Sequence, residues 1–111
     1  MALPRLKKRR EFLLVSGKGK RASRPGVSLQ ALAGTDGGLR VGFTVTKKVG
    51  NAVVRNHCKR RLRAAAQDLL GGAPPSGWNL VLVGRDGTAG RPYDKLLGDL
   101  RGALRQAGVI A

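Results

Sequence analysis

The chain has 111 residues, with 22 Lys and Arg against 6 Asp and Glu, giving a formal net charge of +16 at neutral pH. At 41% hydrophobic but only 4% aromatic residues, it can bury one modest core and cannot line a large apolar pocket with rings, which argues against small-molecule catalysis. No run approaches the roughly 18 consecutive apolar residues of a membrane-spanning helix, and the basic start lacks the apolar stretch of a secretory signal, so a soluble cytoplasmic protein of one domain over residues 1–111 is expected.

The first predicted element is a short helix from about Pro4 to Val15, with Leu6, Phe12, Leu13 and Val15 apolar among Lys7, Lys8, Arg9 and Arg10, and with Gly17 and Gly19 as its stop. The basic stretch from Lys18 to Pro25, rich in turn residues, reads as a loop. Val27, Leu29 and Ala31 then alternate with Ser28 and Gln30. After the turn residues Gly34, Thr35, Asp36, Gly37 and Gly38, a second alternation carries Leu39, Val41, Phe43 and Val45 on one side. These predict two strands joined as a hairpin. Asn51 is placed to cap a long helix that runs to about Leu70 and stops at Gly71 and Gly72. Asn79 to Val83 reads as a buried strand. From Pro92, apolar residues at Tyr93, Leu96, Leu97, Leu100, Leu104 and Ala107 mark an amphipathic closing helix. The predicted fold is α+β, a two-layer sandwich of order α-β-β-α-β-α with helices packed on a small sheet.

Charge is distributed unevenly along these elements. Residues 1–63 carry 17 Lys and Arg against Glu11 and Asp36, a net of +15, whereas residues 64–111 carry a net of +1. Such a field recruits phosphates by Coulomb attraction and counterion release, so nucleic acid is the leading partner.

On a wheel of about 100° per residue, Val54, Cys58, Leu62, Ala65 and Leu69 of the long helix share one stripe, which is expected to face the sheet. Arg55, Lys59 and Arg63 stack at i, i+4 and i+8 away from it, with Asn56 and Arg60 on the adjoining rows. These like charges repel each other unless an anion lies against them. Arg binds phosphate through paired hydrogen bonds, Lys supplies a point charge, and Asn can donate to a sugar or base edge. Lys47 and Lys48 extend the field toward the free amides at the helix N-terminus.

Catalytic chemistry on the protein itself finds little support. Cys58 is the only cysteine and His57 the only histidine, which excludes an internal disulfide and a four-ligand Cys/His zinc site and fits a reducing compartment. A single histidine cannot form a paired acid and base, and the scattered acids form no carboxylate cluster for two metal ions. Cys58 reads as a small buried hydrophobe. Phe43 and Tyr93 sit on predicted core faces, Trp78 reads as an anchor, and Phe12, flanked by Lys and Arg, fits either a core role or stacking against a single-stranded base. Non-catalytic roles for such a chain include a ribosomal or nucleoid protein that packs nucleic acid, and a cationic membrane-surface binder. The second is disfavoured because the apolar stripe is needed for the core.

The run Lys47 to Arg63, with its spacing of Gly50, Asn51, Ala52, Arg55, Asn56, Lys59 and Arg60, resembles the signature of the bacterial ribonuclease P protein component. The similarity extends through Leu6, Lys7, Lys8, Glu11 and Phe12, and through Arg40, Val41, Gly42 and Thr44. The resemblance implies a left-handed βαβ crossover through the long helix, against the usual handedness. It implies assembly with a catalytic RNA subunit that removes the 5′ leader of precursor tRNA, using magnesium ions held mainly by the RNA, with no catalytic residue on the protein and no obligatory protein partner. It places the RNA contacts at Lys47, Lys48, Asn51, Arg55, Asn56, Lys59, Arg60 and Arg63, and a leader-binding cleft at Phe12 with Lys8 nearby. The sequence departs from the family pattern in having His57 where arginine is usual and Cys58 where a bulky aliphatic residue is usual. Ser16 and Gln30 stand where cleft aromatics are common.

Overall fold

The computed structural model describes residues 3–35 and 37–111. In order it runs α1 (Arg9–Lys18), β1 (Lys20–Arg24), β2 (Val27–Ala33), β3 (Arg40–Val45), a 3-10 turn (Lys47–Val49), α2 (Ala52–Leu70), β4 (Trp78–Gly84) and α3 (Tyr93–Gln106). The strands form one sheet of order β1-β2-β4-β3. β4 belongs near its centre because Leu80, Val81 and Leu82 are buried in succession, a pattern only a strand covered on both faces can carry. β1, with Ala22 as its one buried residue, is suited to an edge.

Two expectations about the strands are corrected. The Lys18 to Pro25 segment is not a loop: β1 occupies most of it and pairs antiparallel with β2, with Ala22 opposite Leu29. The two alternating segments β2 and β3 are not a hairpin, because β4 lies between them, antiparallel to β2 and parallel to β3. The glycine-rich connection instead reaches the lead-in to β4, where the Thr35 N–H donates to the Gly77 carbonyl and the Gly77 N–H to the Gly37 carbonyl. Asp36, read as part of that turn, lies outside the described residues. The β3–α2–β4 unit is a parallel pair joined by a crossover helix.

The first helix also differs in extent. Pro4 to Leu6 are extended along β3, with backbone hydrogen bonds from Leu6 to Val41 and from Val41 to Pro4. The helix begins only after Lys8, where the Glu11 carboxylate accepts from the Lys8 N–H at 2.9 Å and from the Lys7 N–H at 3.2 Å. It passes through Gly17 and ends at Gly19.

The helices cover the sheet unequally. α2 and α3 pack on one face, making with it the two-layer core: Val27, Leu29 and Ala31 of β2, Leu80 and Leu82 of β4, Leu62, Ala65, Ala66 and Leu70 of α2, and Leu96, Leu100 and Leu104 of α3. Burying each of these leucines fully contributes about 1.5–3 kcal/mol relative to exposure. α1 lies on the other face over a smaller cluster of Leu6, Val15 and Val81, flanked by Phe12, Leu32 and Val83. A polar knot ties the loop before α3 to the rest. Asp99 accepts from the Gly26 N–H and pairs with Arg91, and the Thr88 hydroxyl donates to the Gly26 carbonyl at 2.7 Å. Arg61 donates to the carbonyls of Thr88, Ala89 and Arg91.

Candidate nucleic-acid interface

Asn51 caps α2 as its sequence position predicts: its side-chain oxygen accepts from the Val54 N–H at 3.0 Å. The cap fixes where the helix starts and so which side chains face outward. Cys58, Leu62 and Ala65 of the predicted stripe are buried, and Val54 and Leu69 are half-buried. On the outer side Asn56, Lys59, Arg60 and Arg63, together with the exposed Val53, line a groove of about 470 Å³. Arg55 stands outside the groove lining, half-buried, and Lys47 and Lys48 are exposed on the turn just before the cap.

The electrostatics of this face are one-sided. Among the described residues the ion pairs are Glu11 with Arg40 and Arg91 with Asp99, and neither involves α2. The Nε atoms of Arg55 and Arg63 are buried without a hydrogen-bond partner, which leaves donors unsatisfied on a surface already crowded with cations. Arg63 is held in place by stacking, its guanidinium carbon 5.7 Å from the centre of the Phe43 ring. Phe43, expected in the core, is half-buried and packs against it while also meeting this arginine.

One arginine of the run faces the other way. Arg61 is spent on the three loop carbonyls and takes no part in the groove. Cys58 beside it is fully buried, and desolvation pushes its thiol above the ordinary value while the Arg61 charge pulls the other way, consistent with a packing residue. His57 is exposed on α2.

A second concavity, of about 590 Å³, lies on the α1 face of the sheet. Phe12 lines it, as do Ser16 and Gln30, with Thr44, Val81 and Val83 from the strands beneath. The Phe12 ring lies so close to β3 that a Cβ at Gly42 would come within 2.5 Å of it, so only glycine permits this seat. Phe43 borders this cleft as well, and its ring also stacks against Arg63 of the α2 groove. Lys8 is exposed at the helix cap and does not line the cleft; its basic margin is Lys7 and Arg9. Ser16 and Gln30 line the cleft as the resemblance implies, whereas Arg9 and Leu13 were missed as partners of Phe12, although Arg9, three residues before Phe12, shares its side of α1. Among the described residues no three His, Cys, Asp or Glu side chains gather as metal ligands, and no helix is long and apolar enough to cross a membrane.

Comparison with known proteins gives a consistent result. The family described as Ribonuclease P matches residues 2–108. The ribonuclease P protein component of Gluconacetobacter diazotrophicus is 57% identical over 106 residues, covering 95% of this chain and 91% of the relative. That of Paramagnetospirillum magneticum is 46% identical over 113 residues, covering 97% and 85%. Among solved structures, the RNase P protein from Thermotoga maritima superposes with a TM-score of 0.76 at 25% identity, covering 96% of this chain and 97% of that one. The Staphylococcus aureus RNase P protein superposes with a TM-score of 0.80 at 23% identity, covering 96% and 97%, which speaks to the fold.

Proposed function

This chain belongs to the ribonuclease P protein family, and from that premise we propose that it is an RNA-binding subunit that docks a catalytic RNA through α2 and holds the single-stranded 5′ leader of precursor tRNA in the Phe12 cleft. The observation that carries this reading is the unbalanced face of α2, where Asn56, Lys59, Arg60 and Arg63 line one groove without an acidic partner. Phosphates of a folded RNA would accept from the guanidinium groups of Arg60 and Arg63 that line the groove and remove the like-charge repulsion at the same time. Lys47, Lys48 and Arg55 extend that contact. Asn51 contributes through the cap it makes, which aims the free amides of the first turn at the same anion.

The cleft suits a different form of RNA. A half-buried ring, a floor of Val81, Val83 and Thr44, and a margin of Lys7 and Arg9 match an unpaired base followed by its phosphate. Ser16 and Gln30 add polar contacts in place of further rings. With both sites filled, the protein neutralises charge between two polyanions and fixes the leader relative to the RNA that cuts it. Magnesium ions at the RNA active site would activate water and stabilise the leaving oxygen. In this reading the part of the protein's own residues is binding and orientation.

The deciding experiment is reconstitution with the family's catalytic RNA, assayed for leader removal from precursor tRNA at low magnesium. The intact protein should restore processing, and alone it should cut nothing. A variant with Lys59, Arg60 and Arg63 all changed to Ala should fail to assemble while keeping its thermal midpoint. Unimpaired assembly of that folded variant would overturn the reading.

A further inference from the structure

A third concavity, of about 270 Å³, lies at the end of the sheet and shares no lining residue with the cleft or the α2 groove. Its floor is Ala31, Leu32 and Ala33 at the end of β2, one wall is Trp78, and Lys18 and Lys20 stand at its rim. Gly19, between the two lysines, is pressed onto β2 so tightly that a Cβ there would lie 2.8 Å from the Ala31 carbonyl oxygen. This close approach fixes both lysines beside the niche. Both are exposed, and neither has an ion-pair partner among the described residues. Trp78 is half-buried against the core, which holds the indole in place.

We propose that this niche is a second base-binding site, in which Trp78 stacks a leader nucleotide beyond those held in the Phe12 cleft while Lys18 and Lys20 hold its phosphates. The proposal rests on the leader reading of the cleft and extends it. An indole face over a small apolar floor accepts any base, and two fixed cations at the rim match the backbone on either side of it. The order of the sites along the sheet sets the direction. Lys47 and Lys48, at the approach to the RNA-docking face, follow directly on β3 beyond Val45, which pairs with Gly84, whereas the niche lies at the opposite end of the strands, where Ala33 of β2 pairs with Trp78 of β4. The cleft lies between them, with Ser16 two residues before Lys18 on the chain and Gln30 immediately before Ala31. A leader that leaves the catalytic RNA beside α2 and crosses the cleft therefore reaches the niche with its distal nucleotides.

Trp78 is the only tryptophan, so its fluorescence reports on this site alone. In the reconstituted holoenzyme, a precursor with a leader several times longer than the cleft should quench that fluorescence, and one with a leader of only a few nucleotides should not. Trp78→Ala, and separately Lys18→Ala with Lys20→Ala, should weaken binding of the long-leader precursor about ten-fold and leave the short one unchanged. Trp78→Phe should retain most of the affinity. If Trp78→Ala does not fold, the lysine pair and the wild-type fluorescence decide the matter. Equal losses for both leaders, no loss in the lysine variant, or a long leader that leaves the fluorescence unchanged would each overturn the niche. Phe12→Ala separates the two readings, because it should weaken both precursors. A silent Phe12→Ala sinks the cleft itself, whereas a damaging Phe12→Ala beside silent niche variants sinks only the extension.

Discussion

On the face of the sheet that carries α2 and α3, Val27, Leu29 and Ala31 of β2 are sealed from solvent, while on the α1 face their neighbours Ser28 and Gln30 remain half exposed. The same strand thus feeds a closed core on one side and an open cleft on the other. The cause is coverage. Thirty-three helical residues of α2 and α3 lie on one face and only the ten of α1 on the other. A short helix cannot cover four strands, and the uncovered strip beside it is where Phe12 meets solvent. If the open face is the proposed leader site, substitutions should divide between stability on one face and recognition on the other.

The largest effect is expected in the closed face. Leu82→Ala removes a fully buried side chain and should cost about 2–5 kcal/mol in denaturant unfolding, with any RNA defect following from lost fold. Phe12→Ala should show the reverse pattern, lowering affinity for precursor over mature tRNA by about 1–3 kcal/mol while perturbing the unfolding midpoint less than Leu82→Ala does. Gly42→Ala sharpens the contrast, because its new methyl group must push the Phe12 ring off its seat. It should reproduce most of the Phe12→Ala binding defect in a chain that keeps the ring, and unaltered discrimination would show that the ring's position does not matter. Arg60→Ala, on neither face of the sheet, should flatten the salt dependence of assembly with the catalytic RNA by about one unit and leave unfolding unchanged.

The smallest effect is at Tyr93. Its hydroxyl donates to the Asp68 carboxylate at 2.5 Å, and desolvation, the hydrogen bond and the Asp68 charge together push its pKa up to about 12. The unfolded chain loses that proton near its ordinary value of about 10, so this contribution is complete below pH 10 and is lost as the pH rises toward 12. Thermal midpoints of the wild type and Tyr93→Phe should converge over that interval. A constant gap would show that the bond does not couple to titration.

Elements with their own local punctuation were legible in the sequence. α2 carries a cap at Asn51 and a stop at Gly71, α3 a sustained helical period, and β4 an apolar run between glycines. β1 was not legible, because an edge strand needs only one inward residue and Ala22 alone makes no alternation among Lys20, Arg21, Ser23 and Arg24. Nor was the separation of β2 from β3, since pairing with β4 is decided by residues some fifty positions away along the chain. In the interface, the outward rows of α2 could be read from helical spacing. The inward turn of Arg61 could not, because it depends on carbonyls in a distant loop. The cleft margin depended on where α1 begins. The resemblance put Lys8 near Phe12, but the helix starts at Arg9, which leaves Lys8 at the cap and Lys7 and Arg9 at the cleft.

The open edge of β1 has a bearing on the chain before any RNA reaches it. Unpaired strand edges invite a second copy to add on, and growth from such edges is how sheets polymerise. Here the exposed Lys20 and Arg21 occupy that margin, so another molecule approaching with the same edge meets positive charge with positive charge. A newly made polypeptide is thereby discouraged from self-stacking, and the same positive charge that would draw a polyanion serves to keep the molecules apart.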